Sequence, residues 1–271
     1  MGRFHRHSDG TVHHHDHGDE PHHHHHEHDH THSGEGHRDV GDHAGYETGN
    51  ERVMVLEKIL DENDRIADRN REELKGHGVR SVNLMSSPGA GKTTLLRKTL
   101  EALRGEVKVG VLEGDIATSI DADRLAGLGA EVSLVNTNNG FGGECHLDAV
   151  MVRAGLERLP LADLDLLVIE NVGNLVCPAE FDVGQDARAM VFSVTEGEDK
   201  PLKYPVMFRS ADVILVNKTD LLPHLELDMA ALRENVAKIN PNAHVFELSA
   251  RTGEGLEPWL AWLKDVASAE G

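Results

Sequence analysis

The sequence predicts an α/β fold, a doubly wound and mostly parallel sheet, in the part of the chain after residue 50. Three observations predict it. From residue 79 onward, short β-branched runs alternate with helical patterns. Several of these runs are apolar throughout, which is typical of strands covered by helices on both faces. One run leads directly into a glycine-rich loop and a helix. Ligands of such sheets bind at the carboxyl ends of the strands.

The predicted elements begin with an amphipathic helix over residues 51–75. Its apolar side chains recur at three- and four-residue spacing, and Asn63 and Asn70 fall on the same stripe. We expect this helix to pack on the core or on a partner subunit. The candidate strands follow as VRSVNLM (79–85), VKVGVL (107–112), VSLVN (132–136), LDLLVIEN (164–171), MVFSVT (190–195), DVILVN (212–217) and HVFELS (244–249).

Residues 1–50 form a histidine-rich tail that differs from the rest of the chain. This tail holds sixteen of the twenty histidines and ten Asp or Glu residues against three Arg. With so little apolar surface to bury, it is predicted to be disordered. Its imidazoles and carboxylates suit borderline divalent ions, which indicates metal binding. The candidate ligands are His13, His14, His15, His22, His23, His24, His25, His26, His28, His30 and His32.

The remaining composition predicts one folded domain over residues 51–271 and excludes several classes of protein. The net charge is −20 and no Lys/Arg cluster is visible, so nucleic acid is not an expected partner. Two cysteines are too few for a disulfide scaffold. No signal peptide or long apolar run is present, so we expect a cytoplasmic protein without a membrane span.

The segment SSPGAGKTT, residues 86–94, has the composition of a phosphate-binding P-loop. Glycines let backbone N–H groups close around phosphate oxygens at a helix N-terminus. Lys92 can reach the β- and γ-phosphates, and the Thr93 hydroxyl can bind Mg²⁺. Ser86 stands where the strict pattern has glycine. The predicted nucleotide-binding residues are Gly89, Ala90, Gly91, Lys92, Thr93 and Thr94.

Two further loops predict that the base is guanine. Asn217 ends the apolar strand DVILVN, with Lys218 and Asp220 just after it, and Ser249 ends the next strand, with Ala250 after it. A carboxylate accepts hydrogen bonds from the N1–H and exocyclic amine of guanine, a donor pair that adenine lacks. The sequence NKTD alone is often an ordinary surface turn, but after a P-loop it indicates GTP.

Carboxylates at other strand ends are candidates for hydrolysis. Glu170 follows the strand LDLLVI, and we assign it to positioning of metal or water, with Gly173 as a sensor of the γ-phosphate. Asp115 follows a second strand and is a candidate for Mg²⁺ or for the attacking water. Asp121 is a weaker candidate, since a carboxylate at a helix N-terminus is equally expected there.

No glutamine or arginine stands out as a catalytic finger. Arg124 and Arg153 are interpreted as solvated helix residues. Unaided GTP hydrolysis is therefore predicted to be slow, with missing groups supplied by a partner or by a second protomer.

Cys145, His146 and Cys177 are candidates for a second metal site. Thiolate and imidazole together suit Zn²⁺ in tetrahedral geometry or Ni²⁺ in square-planar geometry. The residues alone leave an alternative open, in which the cysteines are small buried apolar residues. Three protein ligands would leave one coordination position of a zinc site unfilled, but the ligands of two protomers together could complete the site.

Over residues 51–267 the sequence resembles the HypB family, the nickel-insertion GTPases of hydrogenase maturation. The resemblance depends on six motifs in order: SSPGAGKTTLL, EGDIATSIDADR, GGECHLDA, IENVGNLVCP, VTEGEDKPLKYP and VNKTDLL. It implies a homodimer formed on GTP binding, with a Ni²⁺ or Zn²⁺ site of Cys145, His146 and Cys177 at the dimer interface. It also implies nickel transfer to a nickel–iron hydrogenase large-subunit precursor, with a HypA-type nickel chaperone as partner.

One departure from the family and two rival interpretations remain. Some members begin with a cysteine-rich nickel motif, whereas this tail has no cysteine, which favours nickel storage over a single tight site. The first rival is the urease-maturation GTPase UreG, against which the IENVGNLVCP motif and the Cys145–His146 pair argue. The second is a nickel-buffering protein with a vestigial GTPase, against which intact Lys92 and Asp220 argue.

Overall fold

The structure is a computed structural model, and it describes residues 4–6, 12–14, 44–114, 125–135, 146–174 and 176–269. The chain divides into two units, Met1–Gly45 and Tyr46–Gly271. In the first unit, β1 (Phe4–Arg6) and β2 (Val12–His14) pair antiparallel, with His5 opposite His13.

The second unit contains a seven-stranded sheet in which every described pairing is parallel. Its strands are β3 (Arg80–Ser86), β4 (Val109–Glu113), β5 (Glu131–Leu134), β6 (Leu166–Gly173), β7 (Ala187–Ser193), β8 (Val213–Asn217) and β9 (His244–Glu247). They lie in the order β5-β4-β6-β3-β7-β8-β9. Each of the seven predicted strands is present, and the doubly wound α/β prediction is confirmed.

Helices connect and cover these strands. They are α1 (Ala44–His77), α2 (Lys92–Leu103), α3 (Ala149–Leu156), α4 (Cys177–Glu180), α5 (Lys200–Lys203), α6 (Pro205–Ser210), α7 (Met229–Ile239) and α8 (Glu257–Ser268). Short 3₁₀ helices occupy Leu161–Asp163, Val194–Glu196 and Thr219–His224. Over the described part of the chain, no helix has both the length and the apolar character needed to cross a membrane.

Both faces of the sheet are buried, which explains why its strands read as continuous apolar runs. On β6, Leu166 and Val168 face a core that α2 and α8 complete. Their neighbours Leu167 and Ile169 face the opposite core, into which α1 contributes Leu74. Adjacent residues therefore serve different cores because side chains alternate along a strand.

The predicted helical boundaries need one correction. Helix α1 begins at Ala44 rather than at residue 51, so the boundary predicted at residue 50 falls inside the helix. Residues 44–50 include Gly45 and Gly49. Because glycine has a low helix propensity, the sequence pattern offered no reason to begin the predicted helix before residue 51. The disorder predicted for residues 1–50 stays a prediction.

Candidate functional site

The glycine-rich loop connects the carboxyl end of β3 to the first turn of α2. Gly89 and Gly91 have φ angles of 72° and 100°, which side-chain-bearing residues rarely adopt. Gly91 caps α2, and no side chain accepts a hydrogen bond at this helix N-terminus. The first N–H groups of the helix are therefore available to an anion, and the helix dipole favours one there.

Lys92 lies beneath this loop and is only 7% exposed. Its Nζ donates to Ser86 Oγ at 3.1 Å, so the serine in place of glycine has a positioning contact. Gly173 comes close: a β-carbon there would lie 3.2 Å from Pro88 Cα and 3.7 Å from Lys92 Nζ. A buried ammonium is costly without an anion, so this arrangement suits a phosphate.

The carboxyl ends of β4 and β6 bring two glutamates together beside the loop. Glu170 is fully buried, and its Oε1 accepts from Thr93 Oγ1 at 3.0 Å. Glu113, also buried, is paired with Glu170 across the two strands, so both side chains lie on the same face of the sheet. A hydroxyl and carboxylates are ligands that Mg²⁺ prefers, so these residues fit a magnesium ion.

Glu113 is a residue that the sequence interpretation missed as a candidate. Glu113 ends β4, and Glu170 likewise directly follows the apolar residues of β6. That shared position after an apolar run is the feature of the sequence that could have identified Glu113 as a candidate. Asp115, the candidate chosen on this strand, lies outside the described residues, as do Asp121 and Arg124.

Asn217 connects the phosphate loop to the predicted guanine loops. It is 1% exposed at the end of β8, and its Nδ2 donates to Ala90 O at 2.9 Å. Its Oδ1 accepts from the backbone N–H groups of Lys218 at 2.7 Å and Ala250 at 2.9 Å. A β-carbon on Gly91 would lie 2.6 Å from Asn217 Nδ2. One amide thus holds three loops in register, and only glycine fits against it.

Lys218 and Asp220 follow Asn217 in the first of the predicted guanine loops. Among the described residues, Lys218 is the one non-glycine residue with a positive φ, 65°, and its Nζ donates to Gly89 O at 2.6 Å. Asp220 Oδ1 accepts from Ser249 Oγ at 2.6 Å, which fixes the carboxylate. A cavity of about 190 Å³ opens between Gly91, Asp220 and Ala250, with Thr94 also in its wall.

A larger hollow of about 450 Å³ lies elsewhere, near Lys108, Glu131 and Asp165 at the amino ends of β4, β5 and β6. Parallel sheets bind ligands at the carboxyl ends, so the smaller cavity is the better candidate. The residues around it are also the ones that the sequence predicted.

The motif VTEGEDKPLKYP lies against the phosphate loop. Ser87 Oγ donates to Glu196 Oε1 at 2.5 Å, and Lys200 Nζ lies 3.4 Å from Glu196 Oε2. Farther along, a hydrogen bond from Lys203 lowers the pKa of Asp199, and the same contact raises the pKa of Lys203. Both of the latter side chains are exposed, so water and salt screen that pair.

The predicted cysteine and histidine ligands are described only in part. The His146 ring packs against the Phe181 ring with centroids 4.1 Å apart and the ring planes tilted by 33°, and Phe181 directly follows α4, which begins at Cys177. Asn174 Nδ2 donates to Cys177 Sγ at 3.5 Å. His146 therefore lies beside the segment that carries Cys177, although within the described ranges no three His, Cys, Asp or Glu side chains are grouped closely enough to hold a metal.

The other predicted metal ligands cannot be compared with the structure. Cys145 lies outside the described residues. In the tail, His13 and His14 belong to β2, and the remaining candidates also lie outside: His15, His22, His23, His24, His25, His26, His28, His30 and His32.

Asn171 joins the end of β6 to the segment that follows His146. It is fully buried, and its Oδ1 accepts from Leu147 N at 3.0 Å and from Val172 N at 2.9 Å. Its Nδ2 donates to Asn83 Oδ1 on β3 at 3.3 Å. Asn171 lies in the chain between Glu170 and Gly173, the glycine that approaches the phosphate loop. It is hydrogen-bonded to Leu147, the residue directly after His146.

Arg153 keeps 38% of its side chain exposed, as expected of a solvated helix residue, but it also has an ion-pair partner. It lies on α3 and forms a salt bridge with Glu73 of α1. The sequence pattern cannot show this pairing because the two residues are far apart in the chain.

Comparison with known proteins matches the arrangement to a family. Residues 81–247 match the family described as CobW/HypB/UreG, nucleotide-binding domain. The hydrogenase maturation factor HypB of Azotobacter chroococcum mcd 1 is 50% identical over 212 residues, which cover 78% of this chain and 68% of that protein. The chain belongs to the HypB family. The family resemblance predicted from the sequence motifs is therefore confirmed.

Solved HypB structures agree with this assignment. HypB from Archaeoglobus fulgidus superposes with a TM-score of 0.71 and 40% identity, covering 77% of this chain and all of that one. HypB from Helicobacter pylori in complex with nickel gives a TM-score of 0.70 and 35% identity, covering 76% of this chain and 95% of that one. The HypB fold thus extends over most of the present chain.

Proposed function

We propose that this chain is a GTP-hydrolysing nickel metallochaperone of nickel–iron hydrogenase maturation. The observation that carries the proposal is the bonding of Asn217, which ties the phosphate loop to Ala250 beside the cavity that Asp220 lines. Such a site would bind the guanine base and the triphosphate of one nucleotide at the same time. The hydrogenase role is supported by HypB relatives named as hydrogenase maturation factors.

The chemistry proposed is attack of water on the γ-phosphate, which releases GDP and phosphate. Lys92 binds the β- and γ-phosphate oxygens, and Gly173 gives the γ-phosphate room beside Pro88. Thr93 and Glu170 would hold Mg²⁺, directly or through water, and Asp115 is a further candidate. A magnesium ion held there would supply positive charge beside the phosphate oxygens. We assign no finger residue, so hydrolysis is slow without a partner.

Nickel is proposed as cargo, bound by Cys145, His146 and Cys177 at the interface of a GTP-dependent homodimer. The nickel complex of the Helicobacter pylori relative supports a nickel role in the family. Zn²⁺ suits the same donors. A HypA-type chaperone and the hydrogenase large-subunit precursor are the proposed partners, in the cytoplasm, and the histidine-rich tail is proposed to store nickel.

The first test compares nucleotides. The purified full chain is expected to release phosphate from GTP at a rate on the order of 10⁻⁴ to 10⁻² s⁻¹. ATP should give no release above background, because adenine offers Asp220 no matching donor pair. Phosphate release is measured for both nucleotides with Mg²⁺ present. Equal turnover of ATP and GTP would contradict the guanine assignment.

The second test concerns storage by the tail. Deletion of residues 1–43 leaves α1 whole and is expected to remove most bound nickel while GTP turnover stays unchanged, because the phosphate and guanine loops are formed by residues after 80. Nickel per chain is measured by equilibrium dialysis and elemental analysis. A matched control keeps the length but replaces the tail histidines with asparagine, and it should lose the same nickel. Unchanged stoichiometry in both variants would refute storage.

A further inference from the structure

Two asparagines interrupt the buried stripe of helix α1. Asn63 is 5% exposed and Asn70 is fully buried, with Ala67 and Leu74 as buried neighbours on the same face. Residues seven apart lie two helical turns from each other on one face. A buried amide costs free energy unless it is hydrogen-bonded, so the partners of these two side chains indicate what they are for.

Both asparagines bond to the same two segments of the chain. Asn63 Oδ1 accepts from Ala149 N at 2.9 Å, and its Nδ2 donates to Asp182 O at 2.8 Å. Asn70 Nδ2 donates to Ala149 O at 2.9 Å and to Val183 O at 3.2 Å. Ala149 thus has its N–H and its C=O fixed by two different side chains of α1.

The second segment is also held closely against α1. Asp182 Oδ2 lies 2.8 Å from Arg71 Nη2. Gly184 has a φ of 91°, and a β-carbon there would lie 2.5 Å from Ala67 O and 2.7 Å from Asn70 Cβ. The backbone at Gly184 therefore meets the helix without space for a side chain at that position.

These two segments are the ones that carry His146 and Cys177. Ala149 is three residues after His146, and Asp182 follows Phe181, whose ring contacts that of His146. Phe181 itself follows helix α4, whose first residue is Cys177. Across the described residues, α1 is therefore a common support for both segments, bonded to each through the same pair of amides.

We propose that Asn63 and Asn70 are positioning residues for His146 and Cys177 as metal ligands. They fix the separation of the two segments, so that imidazole and thiolate meet one metal ion without reorganisation. A metal site needs its ligands held to about 0.5 Å, and losing outer partners typically lowers affinity by about 10- to 100-fold. The inference rests on the cysteine–histidine site in the proposed function.

The test uses Ni²⁺ and the full chain with Asn63→Ala and Asn70→Ala combined. Thiolate-to-nickel charge transfer in the near ultraviolet reports cysteine ligation only, so tail imidazoles do not contribute to the signal. Titration against a competing chelator should show affinity at the thiolate site reduced by at least about tenfold. The midpoint for GTP binding should be unchanged, because neither amide contacts the phosphate or guanine loops.

The matched control is Asn240→Ala. The Asn240 amide also donates to backbone carbonyls, to Phe208 O at 3.0 Å and to Ala211 O at 2.8 Å. These bonds join segments other than those that carry His146 and Cys177. It removes comparable hydrogen bonds and should leave the thiolate–nickel affinity at the wild-type value. Thermal unfolding of all variants separates a general loss of stability from a loss of metal positioning.

Wild-type affinity in the double variant, with the far-ultraviolet circular dichroism of the native protein, would overturn the inference. If the double variant does not fold, Asn63→Ala and Asn70→Ala are measured singly, and at least one must weaken the thiolate site. If the wild-type chain shows no thiolate–nickel band, both the inference and the cysteine–histidine site fail. GTP turnover in the same sample then tells whether the GTPase part of the proposed function survives.

Discussion

Lys92→Ala is expected to reduce GTP hydrolysis by at least about a hundredfold, the scale seen when one positioned donor to a transition state is removed. The Lys92 ammonium is buried beside Ser86 at the start of α2, where it would meet the β- and γ-phosphates. No other described cation occupies that position beneath the loop, so the loss is not compensated. Single-turnover phosphate release with saturating GTP measures the effect.

The same substitution should leave the nucleotide-free protein as stable as the wild type. An ammonium buried without its anion carries a desolvation cost, and alanine removes that cost together with the charge. The matched control is Lys98→Ala on the same helix, where the lysine forms an exposed pair with Glu101. That control should hydrolyse GTP normally. Wild-type turnover in Lys92→Ala would remove the phosphate assignment.

Asp220→Asn is expected to shift base preference from guanine to xanthine. The carboxylate accepts from both N1–H and the exocyclic amine of guanine, whereas an asparagine amide must present its N–H to that amine. Xanthine carries a carbonyl at the same position and accepts this N–H. A site built for one pattern rejects the other strongly, so GTP affinity should fall at least about a hundredfold.

Binding of GTP and XTP to both proteins measures this preference. Asp163→Asn is the control, since Asp163 is an exposed carboxylate in the 3₁₀ helix before β6 and the substitution removes the same charge. Ser249 donates to Asp220 Oδ1 and should keep the asparagine in place through its oxygen. An unchanged ratio of GTP to XTP affinity in Asp220→Asn would exclude this residue from base recognition.

Most of the nucleotide site was predictable because its parts are local. The strand, loop and helix that make the phosphate loop are consecutive in the chain, and so are the residues of each guanine loop. A glycine pattern in such a context fixes its own backbone geometry. The strands were predictable for a related reason, since burial on both faces leaves continuous apolar runs.

The supports of the site were not predictable, because they arise between distant segments. Asn63 reaches Ala149 across 86 positions and Asp182 across 119. The sequence placed Asn63 and Asn70 on the apolar stripe of α1 but gave no partner for either amide. The position of Glu113 at the end of an apolar run was visible in the sequence, but its pairing with Glu170 depends on strand register, which the sequence of β4 does not show.

The bonding of Asn171 has a consequence for how such a protein can evolve. The proposed guanine and phosphate contacts lie on β3, β8 and the turn after β9, whereas α1, α3 and the loop after β6 support the segments with His146 and Cys177. At Asn171 a single amide touches both regions, through Asn83 and Leu147. Substitutions in the second region that spare Asn171 are therefore expected to leave the proposed nucleotide region unaltered, whereas a change at Asn171 would affect both regions.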